Sequence, residues 1–365
     1  MDTTGLRELV TTDGPFASVY FNDSHDTADA AKQLELRWRE VRERLEEQGA
    51  QQATLDAMSS AVLDSQPPVG RSGRALVAAG DRVLVDSELD APPEHAVARL
   101  SELPYLVPLA ELGERPPAHV VVVADHVGAD VTAFDIDGNV VDEQTVEGSE
   151  NSVHKVRGGG PAHRDIQSRA EETAKHNIGR IADVVGAVAR GIGAGLVVLA
   201  GESQARKELH DALPEQARRV ATELQSGARN DNGSDNELRE QVAALLTRTK
   251  QARRDEAAER FRAAFGQQQG LAVQGLQATT AALREANVEV LLVGDPGDAE
   301  VFTGGEPTLV ALRRDELETL GADSISRQRV DEALPAAAIA GAAEIVATGE
   351  TLEPTDGVAA LLRHS

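Results

Sequence analysis

Short aliphatic runs, set between stretches with helical spacing, decide what kind of fold this chain can reach. Phe16-Ala17-Ser18-Val19-Tyr20-Phe21, Ala75-Leu76-Val77-Ala78, Arg82-Val83-Leu84-Val85, Val120-Val121-Val122-Val123 and Val131-Thr132-Ala133-Phe134 read as strands, as do Leu196-Val197-Val198-Leu199-Ala200 and Val288-Glu289-Val290-Leu291-Leu292-Val293. Between them, residues 27–48 place Ala31, Leu34, Trp38, Val41 and Leu45 at helical intervals, and residues 51–63 form a second helix that stops before Pro67-Pro68. A long helix over 164–190 carries Ile166, Ala170, Ala174, Ile178, Ile181, Val185 and Val188 near one face and ends at Gly191 and Gly193. Helices over 237–265 and 274–286 follow, with further α/β elements after them and no internal repeat. The cores must be aliphatic, since hydrophobic residues make up 41% of the chain and aromatic ones only 2%.

The chain is 365 residues long, enough for about two or three domains. Arg115-Pro116-Pro117 and the polar run 226–236 mark boundaries, dividing it into residues 1–113, 117–227 and 237–365, each mixed α/β.

Much chemistry is excluded. There is no cysteine, hence no disulfide framework, thiolate nucleophile or cysteine zinc site. No Walker loop, Gly-x-Ser-x-Gly elbow or His-Glu-x-x-His helix occurs, and Gly191-Ile192-Gly193-Ala194-Gly195 precedes a strand where a dinucleotide fingerprint would follow one. His163 and His176 are thirteen residues apart, a poor helical spacing for a shared metal, so neither metal nor cofactor is expected. With no signal-like N-terminus and no run of 18 apolar residues, the expectation is a soluble cytoplasmic protein with no membrane partner. A net charge of −25 argues against DNA binding and against nucleic-acid binding through the whole surface.

Charge can still be local. From Val153 to Arg180, six basic residues (Lys155, Arg157, Arg164, Arg169, Lys175, Arg180) face three acidic ones (Asp165, Glu171, Glu172), a net of +3. Within this island lies Arg157-Gly158-Gly159-Gly160-Pro161-Ala162-His163-Arg164, between a strand-rich segment and the long helix. Three glycines let the backbone approach another molecule closely, although glycine runs also serve as plain linkers. Val69-Gly70-Arg71-Ser72-Gly73-Arg74 is a second basic, glycine-rich segment, and Arg248, Lys250, Arg253 and Arg254 read as a solvated helix face.

The glycine run, with Arg169 and His176 after it, resembles the central domain of the archaeal and eukaryotic class-I release factors, whose Arg-Gly-Gly-Gln-Ser-Ala precedes an arginine-rich helix containing a histidine. The flanks are similar too: a strand pair before the loop, Gly195 to Gly201 at the next strand, and a likeness of Gly275-Leu276 through Val293 to that family's C-terminal domain. The first 113 residues carry no stop-codon-reading motif. The resemblance implies three α/β domains arranged as in a class-I release factor or Pelota. It is nearest to the bacterial branch that includes the Balon-type ribosome hibernation factors, which occupy the ribosomal A site with elongation factor Tu and release no peptide.

On that resemblance the partner is the 70S ribosome, with elongation factor Tu as the GTPase. Arg157, Arg164, Arg169 and Lys175 would meet rRNA phosphates, and Gly158, Gly159 and Gly160 would enter the peptidyl-transferase region. Arg71 and Arg74 would lie in a loop reaching the decoding site. Gly160 stands where the family has its glutamine, and Pro161 follows, so the side chain that positions water is missing. This favours a non-catalytic mimic of tRNA. The alternative is a peptidyl-tRNA hydrolase or rescue factor of the Vms type, with His163 or Gln167 reaching back to replace the glutamine. A third reading is a protein-interaction factor that uses the acidic first and third domains without the ribosome.

Overall fold

Each aliphatic run becomes a strand, and in Phe16–Phe21 and Ala75–Ala78 alternate side chains serve two different layers. The computed structural model describes the chain outside residues 2, 28, 66–70, 90, 114–115, 137, 148–160, 226–233 and 268–269, and describes side chains outside 161–172 and 234–235 as well. The glycine run up to Gly160 therefore lies outside the described residues. Two compact units result: Met1–Glu114 with Ala252–Ser365, and Arg115–Gln251.

The first unit begins with β1 (Phe16–Asn22), α1 (Ala30–Glu47), α2 (Gln52–Leu63), β2 (Gly73–Ala79), β3 (Arg82–Leu89), β4 (Val97–Ser101) and α3 (Val107–Leu112). They build an antiparallel sheet in the order β3-β2-β1-β4. Leu34, Trp38, Val41 and Leu45 of α1 pack with Ala17, Val19 and Phe21 of β1. Phe16 and Tyr20 point the other way, into a core completed by the C-terminal part of the unit. Strand β1 is buried on both faces, which is why its sequence is almost continuously apolar.

The second unit follows, with β5 (His119–Ala124), β6 (Gly128–Phe134), β7 (Val140–Glu147), α4 (Pro161–Gly191), β8 (Leu196–Gly201), α5 (Ser203–Ala212), α6 (Glu215–Arg219), β9 (Ala221–Glu223) and the start of α7 (Ser234–Gly266). Its sheet runs β7-β6-β5-β8-β9. The β5–β8 and β8–β9 pairs are parallel, and β6 and β7 are antiparallel. Val120, Val122, Val131, Val197 and Leu199 bury one face against Ile178, Ile181, Val185 and Val188 of α4.

The chain then returns to the first unit through β10 (Ala272–Gln274), α8 (Leu276–Arg284), β11 (Val288–Val293), β12 (Glu300–Thr303), β13 (Val310–Ala311), α9 (Arg314–Thr319), β14 (Ser326–Arg329), α10 (Val330–Ala340), β15 (Glu344–Ala347) and β16 (Val358–Leu362). These form the sheets β10-β16-β11-β15 and β13-β12-β14. Helix α10 is buried along almost its whole length, including the carboxylates of Asp331 and Glu332 in its first turn. Both are held by Arg99 of β4, at 3.2 Å and 3.0 Å, and Arg329 also pairs with Asp331, at 3.0 Å. The Arg99 guanidinium lies 3.6 Å from the centre of the Tyr105 ring, so its flat face is satisfied as well as its edge.

Burial raises the Glu332 carboxyl above its ordinary value of 4.5, against the opposing pull of Arg99. Removing Arg99 leaves two buried carboxylates short of a partner. The expected cost of Arg99→Ala is about 3–5 kcal/mol in urea unfolding of the full chain. Glu332→Gln removes the buried charge. Because the folded state keeps its proton to higher pH than the unfolded chain does, the wild type should lose stability relative to Glu332→Gln as pH rises above 4.5.

Candidate functional site

Helix α4 starts at Pro161, immediately after the glycine run, where the missing proline N–H leaves no helical hydrogen bond unmade. It is 31 residues long, about 46 Å. Among the described side chains, Asn177, Ile178, Ile181, Ala182, Val185, Val188 and Ala189 are buried, Thr173 and Ala174 are half-buried, and Lys175 and His176 are exposed. The end of α4 is tied to the start of the sheet, where Gly195 donates to the Ala118 carbonyl at 2.9 Å. Asn177 instead meets the chain just past the end of β5, donating to the His126 carbonyl at 3.4 Å. The helix thus runs opposite to β5 and β8. Residues 161–176, about 24 Å of helix, extend along its axis past the carboxyl ends of those strands.

The carboxyl ends of β5 and β8 form a rigid footing for this extension. Their chains leave in opposite directions, from β5 into β6 and from β8 into α5. Glu202 donates its amide to the Ala124 carbonyl at 2.9 Å, and Gly201 takes φ +103° beside it. A Cβ on Gly201 would sit 2.1 Å from that same oxygen, so only glycine fits. Asp125 closes the β5–β6 turn by accepting from the amides of Val127 and Gly128, both at 2.7 Å. The His126 ring reaches the Glu202 carboxylate at 2.9 Å through Nε2. Buried Arg206 joins the ends of β8 and β9, donating to the Gly201 carbonyl at 3.1 Å and to Glu223 at 3.0 Å.

The residues singled out in the sequence fall in different places. Arg157, Gly158, Gly159 and Gly160 lie outside the described residues. His163, Arg164, Gln167 and Arg169 ride on the first part of α4, and their side chains lie outside the described set. Lys175 is exposed on the same helix, two residues before buried Asn177. Arg71 is exposed just ahead of β2. Arg74 is an internal residue of β2, not part of a loop. Its guanidinium is buried, holding Asp86 through two hydrogen bonds of 2.8 Å and approaching Asp23 at 3.6 Å. Burial raises the Asp23 carboxyl above its ordinary value, with Arg74 pulling it back down.

Two features carried no sequence signal. One is the His126–Glu202 pair, whose members are 76 residues apart in the chain and come together only because β5 and β8 are neighbours. The other is an open cleft of about 570 Å³ in the first unit, lined by Arg99, Ser101, Glu102, Glu300, Arg327 and Arg329 among others. Its arginines are paired, Arg327 with Glu300 at 3.2 Å and Arg329 with Asp298 at 2.9 Å. Among the described residues no group of three His, Asp or Glu side chains gathers as metal ligands, and no helix is long and apolar enough to cross a membrane.

The family model "Bacterial archaeo-eukaryotic release factor family 2" matches residues 118–267, from the start of β5 through α4 to the end of α7. The uncharacterized protein Rv2629 of Mycobacterium tuberculosis is 40% identical over 366 residues, covering 100% of this chain and 97% of its own length. Among solved structures, Pelota from Archaeoglobus fulgidus aligns at 13% identity and TM-score 0.37 over 100% of this chain and 92% of that one. Dom34 from S. cerevisiae, a translation termination-like factor, aligns at 11% identity and TM-score 0.42 over 80% and 81%.

The two glycines that flank β8, one before it and one at its end, give a contrast. Gly201→Ala brings both an unfavourable φ and a backbone collision, and should cost about 3 kcal/mol or more. Gly193→Ala, at φ +62° with nothing within 4 Å of its Cβ, should cost about 1–2 kcal/mol. Denaturant midpoints of the two variants check this.

Proposed function

We propose that this chain, which belongs to the bacterial archaeo-eukaryotic release factor family, is a ribosome-associated factor that occupies the A site as a non-catalytic mimic of tRNA and release factor. One observation carries the reading. Within the segment that matches the family, the long helix opens directly behind a glycine run whose third glycine stands where the release factors have their glutamine. Gly160 has no side chain to hold an attacking water, and Pro161 has no amide to donate in its place. What remains is a thin backbone with Arg157, Arg164, Arg169 and Lys175 around it, a set suited to phosphate contacts and not to ester hydrolysis. Translation inhibition or hibernation follows from blocking the site, and elongation factor Tu is the GTPase the resemblance implies.

The test is co-sedimentation of the purified chain with vacant and peptidyl-tRNA-loaded 70S ribosomes, with and without elongation factor Tu, scoring peptide release in the same tubes. Binding to both without release is expected. Release by the native chain would shift the reading to a hydrolase that works without the glutamine, and absence of binding would leave family membership without this function. Binding should weaken steeply with salt. Lys175→Ala should lower affinity and reduce the slope of log affinity against log salt by about 1.

A further inference from the structure

Strand β7 is the outermost strand of its sheet, and among the described residues nothing pairs with its outer edge. Edge strands that must stay unpaired are usually short, carry lysine or proline, or are covered. This one is eight residues long and contains no lysine, proline or glycine. Its pairing with β6 skips Val141, a bulge confined to the hairpin end, and from Asp142 to Glu147 the register is unbroken. That leaves about 20 Å of regular, open edge.

The side chains on this edge point to a particular kind of occupant. Ile136, Val140 and Val141 are 48%, 54% and 50% exposed, an aliphatic cluster at the hairpin tip. Asp142, Glu143 and Glu147 follow, with no basic residue between Val140 and Glu147. Glu143 and Glu147 share the face opposite the helices, since Val146 is buried against the α4 side. A second copy of this chain pairing here would set acid beside acid, which cross-strand pairing disfavours. RNA meets the same repulsion. A strand carrying lysine or arginine together with aliphatic residues meets complementary charge and complementary apolar surface.

We propose that the outer edge of β7 is a docking site for an extended, lysine- or arginine-rich segment of another protein. The segment adds to the sheet as a sixth strand, with its apolar side chains on Ile136, Val140 and Val141 and its cations on Glu143 and Glu147. Main-chain hydrogen bonds supply much of the affinity, and the acidic side chains choose the partner. The site is independent of the glycine run and stands or falls apart from the A-site reading.

The probe is a synthetic eight-residue peptide alternating lysine and valine, titrated into the full chain. Binding is followed by fluorescence anisotropy and by amide hydrogen exchange resolved along β7. A chain of net charge −25 attracts any cationic peptide, so a peptide alternating lysine and proline, equally charged but unable to pair as a strand, is the control. The expected result is at least tenfold tighter binding of the lysine–valine peptide, with slowed exchange within residues 142–147. The double variant Glu143→Lys, Glu147→Lys, at exposed positions, should keep its thermal midpoint, lose that binding at least tenfold and accept a glutamate–valine peptide instead. Equal affinity for both lysine peptides, unchanged exchange in β7, or equal protection of β7 by a single-stranded RNA would each overturn the proposal.

Discussion

The parallel pairing of β5 with β8 is the contact on which the rest of the second unit depends. It brings Ala124 opposite Gly201 so closely that the second residue must lack a side chain, and it sends the two chains away in opposite directions. Helix α4 returns the chain from the antiparallel side of the sheet to the start of β8, so its direction is set opposite to the strands. Among the described side chains, its buried apolar residues run from Ile178 to Ala189. Arg206, His126 and Glu202 cross-link the carboxyl ends of β5, β8 and β9.

The first unit solves a different problem. Beyond Phe16, Tyr20, Phe21, Trp38 and Phe261, its cores are made of aliphatic side chains, many of them small, that specify orientation weakly. Buried polar contacts supply what shape does not. Arg99, stacked on Tyr105 and held between Asp331 and Glu332, ties the N-terminal sheet to helix α10, and Thr3 reaches the Ala343 carbonyl at 2.8 Å nearby. Such a network is costly to break and adds little where an apolar contact would serve, so its value lies in fixing one arrangement.

Legibility in the sequence followed the same physics. The runs Phe16–Phe21, Val120–Val123, Leu196–Ala200 and Val288–Val293 announced buried strands because both their faces, or one face and a parallel neighbour, are covered. Helices α1 and α2 were readable almost to their ends, from the spacing of Leu34, Trp38, Val41 and Leu45 and from the prolines after Leu63. Strand β7 was visible only at Val140-Val141, because from Asp142 onward it is polar and exposed and carries no periodic burial until Val146. Arg74 looked like a loop residue because glycines surround it. The partners that bury it, Asp23 and Asp86, are 51 and 12 residues away in the chain and carry no local signature. The His126–Glu202 pair was invisible for the same reason.

The acidity of the chain and its basic island are compatible because of distance. Along the axis of α4, Arg169 lies about 12 Å and Arg164 about 20 Å before Asn177. At physiological ionic strength the Debye length is about 8 Å, so charges on the sheet are strongly screened at the position of Arg164. A helix that stayed flat on its sheet would hold its arginines among the carboxylates of the body, where they would be neutralised pairwise. Carrying them along the helix, away from Asn177, lets a protein of net charge −25 offer a locally cationic end to an anionic surface. The length of α4 is then an electrostatic necessity as much as a matter of reach. Shortening the helix by whole turns would preserve its fold and its sequence motif while bringing the island back under the field of the body.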